Sequence, residues 1–150
     1  MKYRTRFWSI IGLTLVLAGV TAFLVHTSKD VQWSGGFWEQ WLRTHLQLQS
    51  AEVVFWLRKT AHFLGYGSLA LLYWVYFYLW GLRKTAPWWG IVGAALVASL
   101  DEYFQSRSAF RSGQPTDVLL DISGAVIFTS VTTMWLRYCK NRVKKRSGSC

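Results

Sequence analysis

The sequence predicts an all-α membrane protein, with four transmembrane helices and an interfacial amphipathic helix between the first and second. Three observations lead there. Of the 150 residues, 52% are hydrophobic and only 16% charged, whereas a soluble domain carries about 25% charged residues. Several apolar runs are long enough to cross a hydrocarbon core about 30 Å thick. The net charge of +10 sits in clusters between those runs, as the positive-inside rule produces, and not in a stripe suited to nucleic acid. The length fits one membrane domain, 1–150, without room for a separate soluble module.

Lys2, Arg4 and Arg6 precede the first span, approximately 7–26, which contains no Lys, Arg, Asp or Glu. A basic start before an apolar run is also the form of a signal peptide. Its length and the lack of a clean small-x-small cleavage site favour a retained helix, and no Cys follows Leu17-Ala18-Gly19 as a lipoprotein signal would need. A polar connection follows, with loop signals at Ser28-Lys29-Asp30 and Ser34-Gly35-Gly36. Phe37, Trp38, Trp41, Leu42 and His45 then recur at helical spacing. With Trp33 they suit a helix lying in the membrane interface, either an anchor or a lid.

The second span, 61–82, ends at Gly81-Leu82-Arg83-Lys84, and the third, 87–105, opens on Pro87, which suits a first helical turn. Gly93, Ala94, Ala95, Ala98 and Ser99 on the third are small enough to let helices approach closely. The fourth span, 117–136, can be capped by Thr116 or Asp117. A basic tail, 137–150, follows and suits an anionic membrane surface. Its two cysteines, Cys139 and Cys150, form no metal spacing and suggest no disulfide framework.

With four spans, Lys2, Arg4, Arg6, Arg83, Lys84 and the six basic residues of the tail share one side, and no acidic residue joins them. That side is expected to be cytoplasmic and to hold both termini. The acidic residues then lie on the outer side, and four of the seven fall in one stretch: Asp101, Glu102, Asp117 and Asp121. Charges within membrane segments are costly and usually have partners or a task. Lys59, His62 and Tyr66 are spaced three and four apart on one face of the second helix. Asp101 and Gln105 are one turn apart on the third, with Glu102 beside them, and Asp117, Asp121 and Gly124 follow at spacings of four and three on the fourth. At 1.5 Å per residue these groups come to a similar outer depth, Asp101 about 20 Å beyond Pro87. The expectation is a polar cavity opening outward, with Arg107 or Arg111 as a planar donor for an anionic group.

Structural readings stand beside this one. Asp101–Arg111 and Asp117–Arg107 can be ion pairs that tie the outer loop, Asp117 can be a helix cap, and His62 an interfacial residue bonded to a carbonyl. Asp121 is hardest to explain so, because it points into a membrane helix beside Ser123-Gly124.

The motifs Lys59-x-x-His62-Phe63-x-x-Tyr66, Asp101-Glu102-x-x-Gln105, Arg111 and Asp117-x-x-x-Asp121-x-x-Gly124 together resemble the VanZ-like family of small bacterial membrane proteins. The resemblance covers most of the chain from Arg58 to Phe128. It departs at Asp121, where many members carry Asn. It implies a multi-pass protein of the bacterial cell membrane and a link to glycopeptide resistance, since the family is named for a protein that raises tolerance to teicoplanin. It supplies no reaction.

The leading expectation is a binding protein for a cell-envelope amphiphile: a lipid, a lipid-linked precursor or a lipoglycopeptide. Lys59, His62, Tyr66, Asp101, Glu102, Gln105, Arg107, Arg111, Asp117 and Asp121 are its candidate ligand-binding residues. The alternative is a membrane-embedded hydrolase or transferase on a lipid headgroup, with His62 and either Asp101 or Glu102 as the acid–base pair. A proton-coupled transporter is disfavoured by four short spans without a repeat, unless the protein forms a homodimer. No HExxH-type metal motif or phosphate loop occurs, and no cofactor, metal or nucleic-acid partner is expected.

Overall fold

The computed structural model describes residues 2–29, 44–45, 51–107 and 115–147. The interfacial helix expected between the first two spans lies outside these residues, apart from Thr44 and His45, and so do Arg111 and Cys150. Four helices make up the described fold: α1 (Lys2–Lys29), α2 (Ala51–Leu79), α3 (Ala86–Ser106) and α4 (Pro115–Ser147). No strand occurs among the described residues.

Two helices overrun the expected spans. α2 begins ten residues before position 61, and α4 continues through most of the tail. Neither added segment contains Gly or Pro, and both are rich in good helix formers. The added cations also lie at the C-terminal end of α4, where the helix dipole favours them. α4 opens on Pro115, so Thr116 and Asp117 occupy its first turn and are not its cap. Proline suits this place because its missing N–H would have had no helical partner.

Successive helices run antiparallel, which makes α2 and α4 parallel. α2, α3 and α4 all pack on one another, and α1 lies against α3 and α2. The turn between α2 and α3 fixes one end. Leu82 N–H donates to the Phe77 carbonyl and Gly81 N–H to the Tyr78 carbonyl, each at 3.1 Å. These are the two bonds of a Schellman motif, which needs a left-handed residue at Gly81 (φ +100°). Arg6 closes the same end by donating from Nε to the Leu79 carbonyl at 2.7 Å and from Nη2 to the same oxygen. A cation there meets the negative end of the α2 dipole.

Small side chains fill the interior. Ala70, Ala94 and Ala125 form one buried cluster, and Leu17, Tyr66, Leu69, Val97 and Ala98 another. Large apolar side chains point outward instead: Trp88 and Met134 are 70% exposed and Leu15 68%. Asp101, Gln105 and Asp121 are buried. That distribution inverts the one water imposes on a soluble protein. Among the described residues, two segments are long and apolar enough to cross a membrane, Thr5–Phe23 in α1 and Thr116–Lys144 in α4. α2 and α3 fall below that mark because they carry many Trp and Tyr, together with His62, Asp101 and Glu102.

The small residues set the helix separation. A Cβ built on Gly90 of α3 would lie 2.6 Å from the Ala70 carbonyl oxygen of α2, whereas one on Gly65 meets nothing within 4 Å. Gly90→Ala is therefore expected to lose about 1–3 kcal/mol by overpacking. Gly65→Ala is expected to gain about 0.5–1 kcal/mol from helix propensity. Thermal unfolding of the two variants in detergent checks the contrast.

Candidate functional site

The end of the bundle opposite the Gly81 turn gathers polar side chains from three helices. Lys59, His62 and Tyr66 lie on one stripe of α2 because residues three and four apart share a helix face. Parallel packing sets that stripe beside α4. Lys59 Nζ pairs with Asp117 Oδ1, and His62 Nδ1 faces Asp121 Oδ1 at 3.5 Å. Lys59 Nζ also stands 5.3 Å from the centroid of the Phe55 ring. Next to this pair, the Gly124 Cα approaches the Phe63 carbonyl so closely that an added Cβ would clash with the oxygen. Further along, the Phe128 ring covers Gly67. These four pairs form one register running from the polar end toward the middle.

α3 runs antiparallel and completes the group. Gln105 Nε2 donates to Asp101 Oδ2 at 2.7 Å, and both residues are only 4% exposed. Tyr66, 3% exposed, directs its hydroxyl among Asp101, Asp121 and Glu102. That hydroxyl makes no hydrogen bond of normal geometry, and neither does His62 Nδ1 or Asp121 Oδ1. Glu102 is half-buried beside them. Ser123 takes no part in the group: its hydroxyl donates back to the Leu120 carbonyl at 2.6 Å.

The expected residues thus divide. Lys59, His62, Tyr66, Asp101, Glu102, Gln105, Asp117 and Asp121 come together. Arg107 does not: it is exposed, with its guanidinium 4.6 Å from the Tyr103 ring centroid. Arg111 lies outside the described residues. Two pairings differ from those the sequence suggested. Asp117 meets Lys59 and not Arg107, because parallel packing sets the start of α4 beside α2. The carboxylate found against His62 is Asp121, for the same reason.

The form of the site differs as well. Tyr66, Asp101, Gln105 and Asp121 are packed into a buried polar core, with Lys59, His62, Glu102 and Asp117 partly exposed at its rim. A cavity of about 500 Å³ lies elsewhere, between α1 and α2, lined by Thr14, Leu17, Ala18, Thr21, Tyr73 and Tyr76 among others. Thr129 is a polar residue that the sequence motifs did not single out; it is 3% exposed with an unbonded hydroxyl. It lies eight residues after Asp121, so helical periodicity puts it on the same face and is the signal that could have found it. No group of three or more His, Cys, Asp or Glu that can hold a metal ion occurs among the described residues.

Chemically, the arrangement offers a carboxylate–imidazole pair, a phenol among carboxylates and an ammonium–carboxylate pair. It can bind a polar headgroup or move a proton.

Comparison with known proteins places this geometry in a family. No curated protein matches the chain significantly, and no solved structure does. The sequence model of the VanZ/LLP1 family matches residues 8–136, nearly the whole chain and all the helices that build the polar end. The chain belongs to the VanZ/LLP1 family.

Proposed function

We propose that this chain is a multi-pass protein of the bacterial cell membrane whose four helices all span, and that its polar end binds the headgroup of a cell-envelope amphiphile. The amphiphile is a lipid, a lipid-linked precursor or a lipoglycopeptide such as teicoplanin, and binding it contributes to glycopeptide tolerance. The observation that carries this reading is the convergence of eight polar side chains from three helices at one end of a bundle with an apolar outer surface. Buried polar groups in lipid are expensive and are kept where they serve a purpose. Arg6, Arg83 and Lys84 lie at the opposite end, so the positive-inside rule turns the polar end outward and both termini toward the cytoplasm.

The test is native mass spectrometry of the full chain extracted gently from its own membrane, beside Asp121→Asn. A specific lipid retained by the wild type and lost by the variant is expected. Identical spectra with bulk phospholipid only would sink the binding reading.

A second reading is favoured by one distance. His62 Nδ1 and Asp121 Oδ1 face each other at 3.5 Å without a hydrogen bond. Catalytic pairs are often loose until substrate arrives. On this reading the protein is an acid–base enzyme on a lipid headgroup, and a labelled envelope lipid changes mass with wild type but not with His62→Ala.

A further inference from the structure

We propose that the groove between α1 and α2 is a binding site for the hydrocarbon chain of a membrane lipid, which enters it from the side. The site rests on α1 crossing the membrane and is independent of what the polar end binds.

The groove holds about 500 Å³ between Thr14, Ala18 and Ala22 of α1 and Tyr73 and Tyr76 of α2. Elsewhere the helices close up on glycine: α3 meets α2 tightly at Gly90 and Gly93, and α4 meets it at Gly124. No glycine of α1 makes such an approach, since a Cβ on Gly12 or Gly19 would meet nothing within 4 Å. Thr14, Ala18 and Ala22 are exposed, so the groove opens to the outside of the bundle. All three lie in the Thr5–Phe23 segment, long and apolar enough to cross a membrane, where the outside is hydrocarbon.

Polarity and size select the occupant. The lining surface is almost wholly apolar. Thr14 Oγ1 donates to the Ile10 carbonyl of its own helix at 2.8 Å, and Thr21 Oγ1 and Tyr73 Oη share a hydrogen bond between the two helices at 3.4 Å. The threonines therefore ask nothing of a ligand, and water would find too few partners to stay. An empty apolar space forfeits dispersion contacts along its walls. A helix of a second copy is about 10 Å across, and along the groove's length of about 12 Å it would need roughly 900 Å³. A flexible chain needs less.

Depth fixes which part of the lipid is held. Thr14 lies about 12 Å and Ala22 about 24 Å along α1 from Arg6. In a core about 30 Å thick the groove runs from the midplane toward the polar end. The chain ends of lipids in that leaflet reach this depth.

The experiment places the full chain in nanodiscs with phosphatidylglycerol carrying a photoreactive diazirine, either at the end of one acyl chain or beside its ester, and maps labelled peptides by mass spectrometry. The reference is stretch 131–136 of α4, where Val131 and Met134 are 61% and 70% exposed. The chain-end probe is expected to label 14–22 and 73–76 about fivefold above that reference, the worth of about ten dispersion contacts. The ester probe is expected to show no such excess. Ala18→Trp and Ala22→Leu, which fill the groove from exposed positions, are expected to remove the excess with an unchanged thermal transition. Leu15→Trp, on another face of α1, is expected to keep it. Even labelling of all exposed faces overturns the site, and so does an excess that survives both filling variants. An excess with the ester probe overturns the assigned depth. A dimer in native mass spectra that Ala18→Trp dissociates gives the groove to a second copy and overturns the lipid.

Discussion

Gly124→Val is expected to cost more stability than any single substitution among the polar side chains, and, on the proposed binding function, to abolish lipid retention with it. The reason is backbone against backbone. A Cβ at Gly124 clashes with the carbonyl oxygen of Phe63, which belongs to the α2 backbone and has no rotamer by which to give way. Overpacking a tight site costs about 1–3 kcal/mol even when neighbouring side chains can move. Here the helices themselves must part, so the upper end of that range applies to the Cβ alone, and valine's two methyl groups add to it. Separation at Gly124 reaches the adjacent turn, where His62 meets Asp121. Gly67 supplies a control of similar register. The atoms a Cβ would meet there belong to the Phe128 ring, which is half-buried and can tilt. Gly67→Ala is expected to lose less than Gly124→Ala in thermal unfolding. Equal losses at both positions would mean that close backbone approach is not what holds α2 to α4.

The helices and the members of the polar end were legible in the sequence because they obey local rules. Spacings of three and four put Lys59, His62 and Tyr66 on one stripe, and Asp117, Asp121 and Gly124 on another. Pro87 marked the start of α3 correctly, within its first turn. Pairing was less legible, because spacing within one helix does not tell which neighbour it faces. Lys59 with Asp117 and His62 with Asp121 follow from the parallel packing of α2 and α4, a fact about tertiary structure. The neighbour of Arg107 was not legible either. Its charge type suits an anion, yet the end of α3 turns it onto Tyr103 and toward the exterior. Helix ends were less legible where the composition is basic but still helix-forming: α4 continues as helix along 137–147. Burial was also invisible in one dimension: the residues that resembled a cavity wall pack on one another and leave their partly exposed members at the rim.

Lys59→Met should destabilise the bundle by about 1–3 kcal/mol, since truncating one member of a partly buried pair leaves the other charge poorly compensated. The side chains of Lys59 and Asp117 are only 15% and 19% exposed, so water screens the pair weakly. Asp117→Asn is expected to cost a similar amount. The double variant Lys59→Met/Asp117→Leu should recover most of the loss, because well-packed apolar residues often replace a buried ion pair at little net cost. A thermodynamic cycle over these variants should therefore give a coupling of about 1–2 kcal/mol, and additive effects would mean that the two residues do not act as a pair. Reversing the pair, Lys59→Asp/Asp117→Lys, separates charge from context. Asp117 lies in the first turn of α4, where the helix dipole favours an anion by about 0.3–1 kcal/mol. The reversed pair restores the attraction but sets a cation against that dipole, and it removes the Lys59 contact with the Phe55 ring. Its recovery should consequently fall short of the apolar double variant. If the reversed pair matches wild type, the orientation of the pair carries no information, and Lys59 holds Asp117 by charge alone.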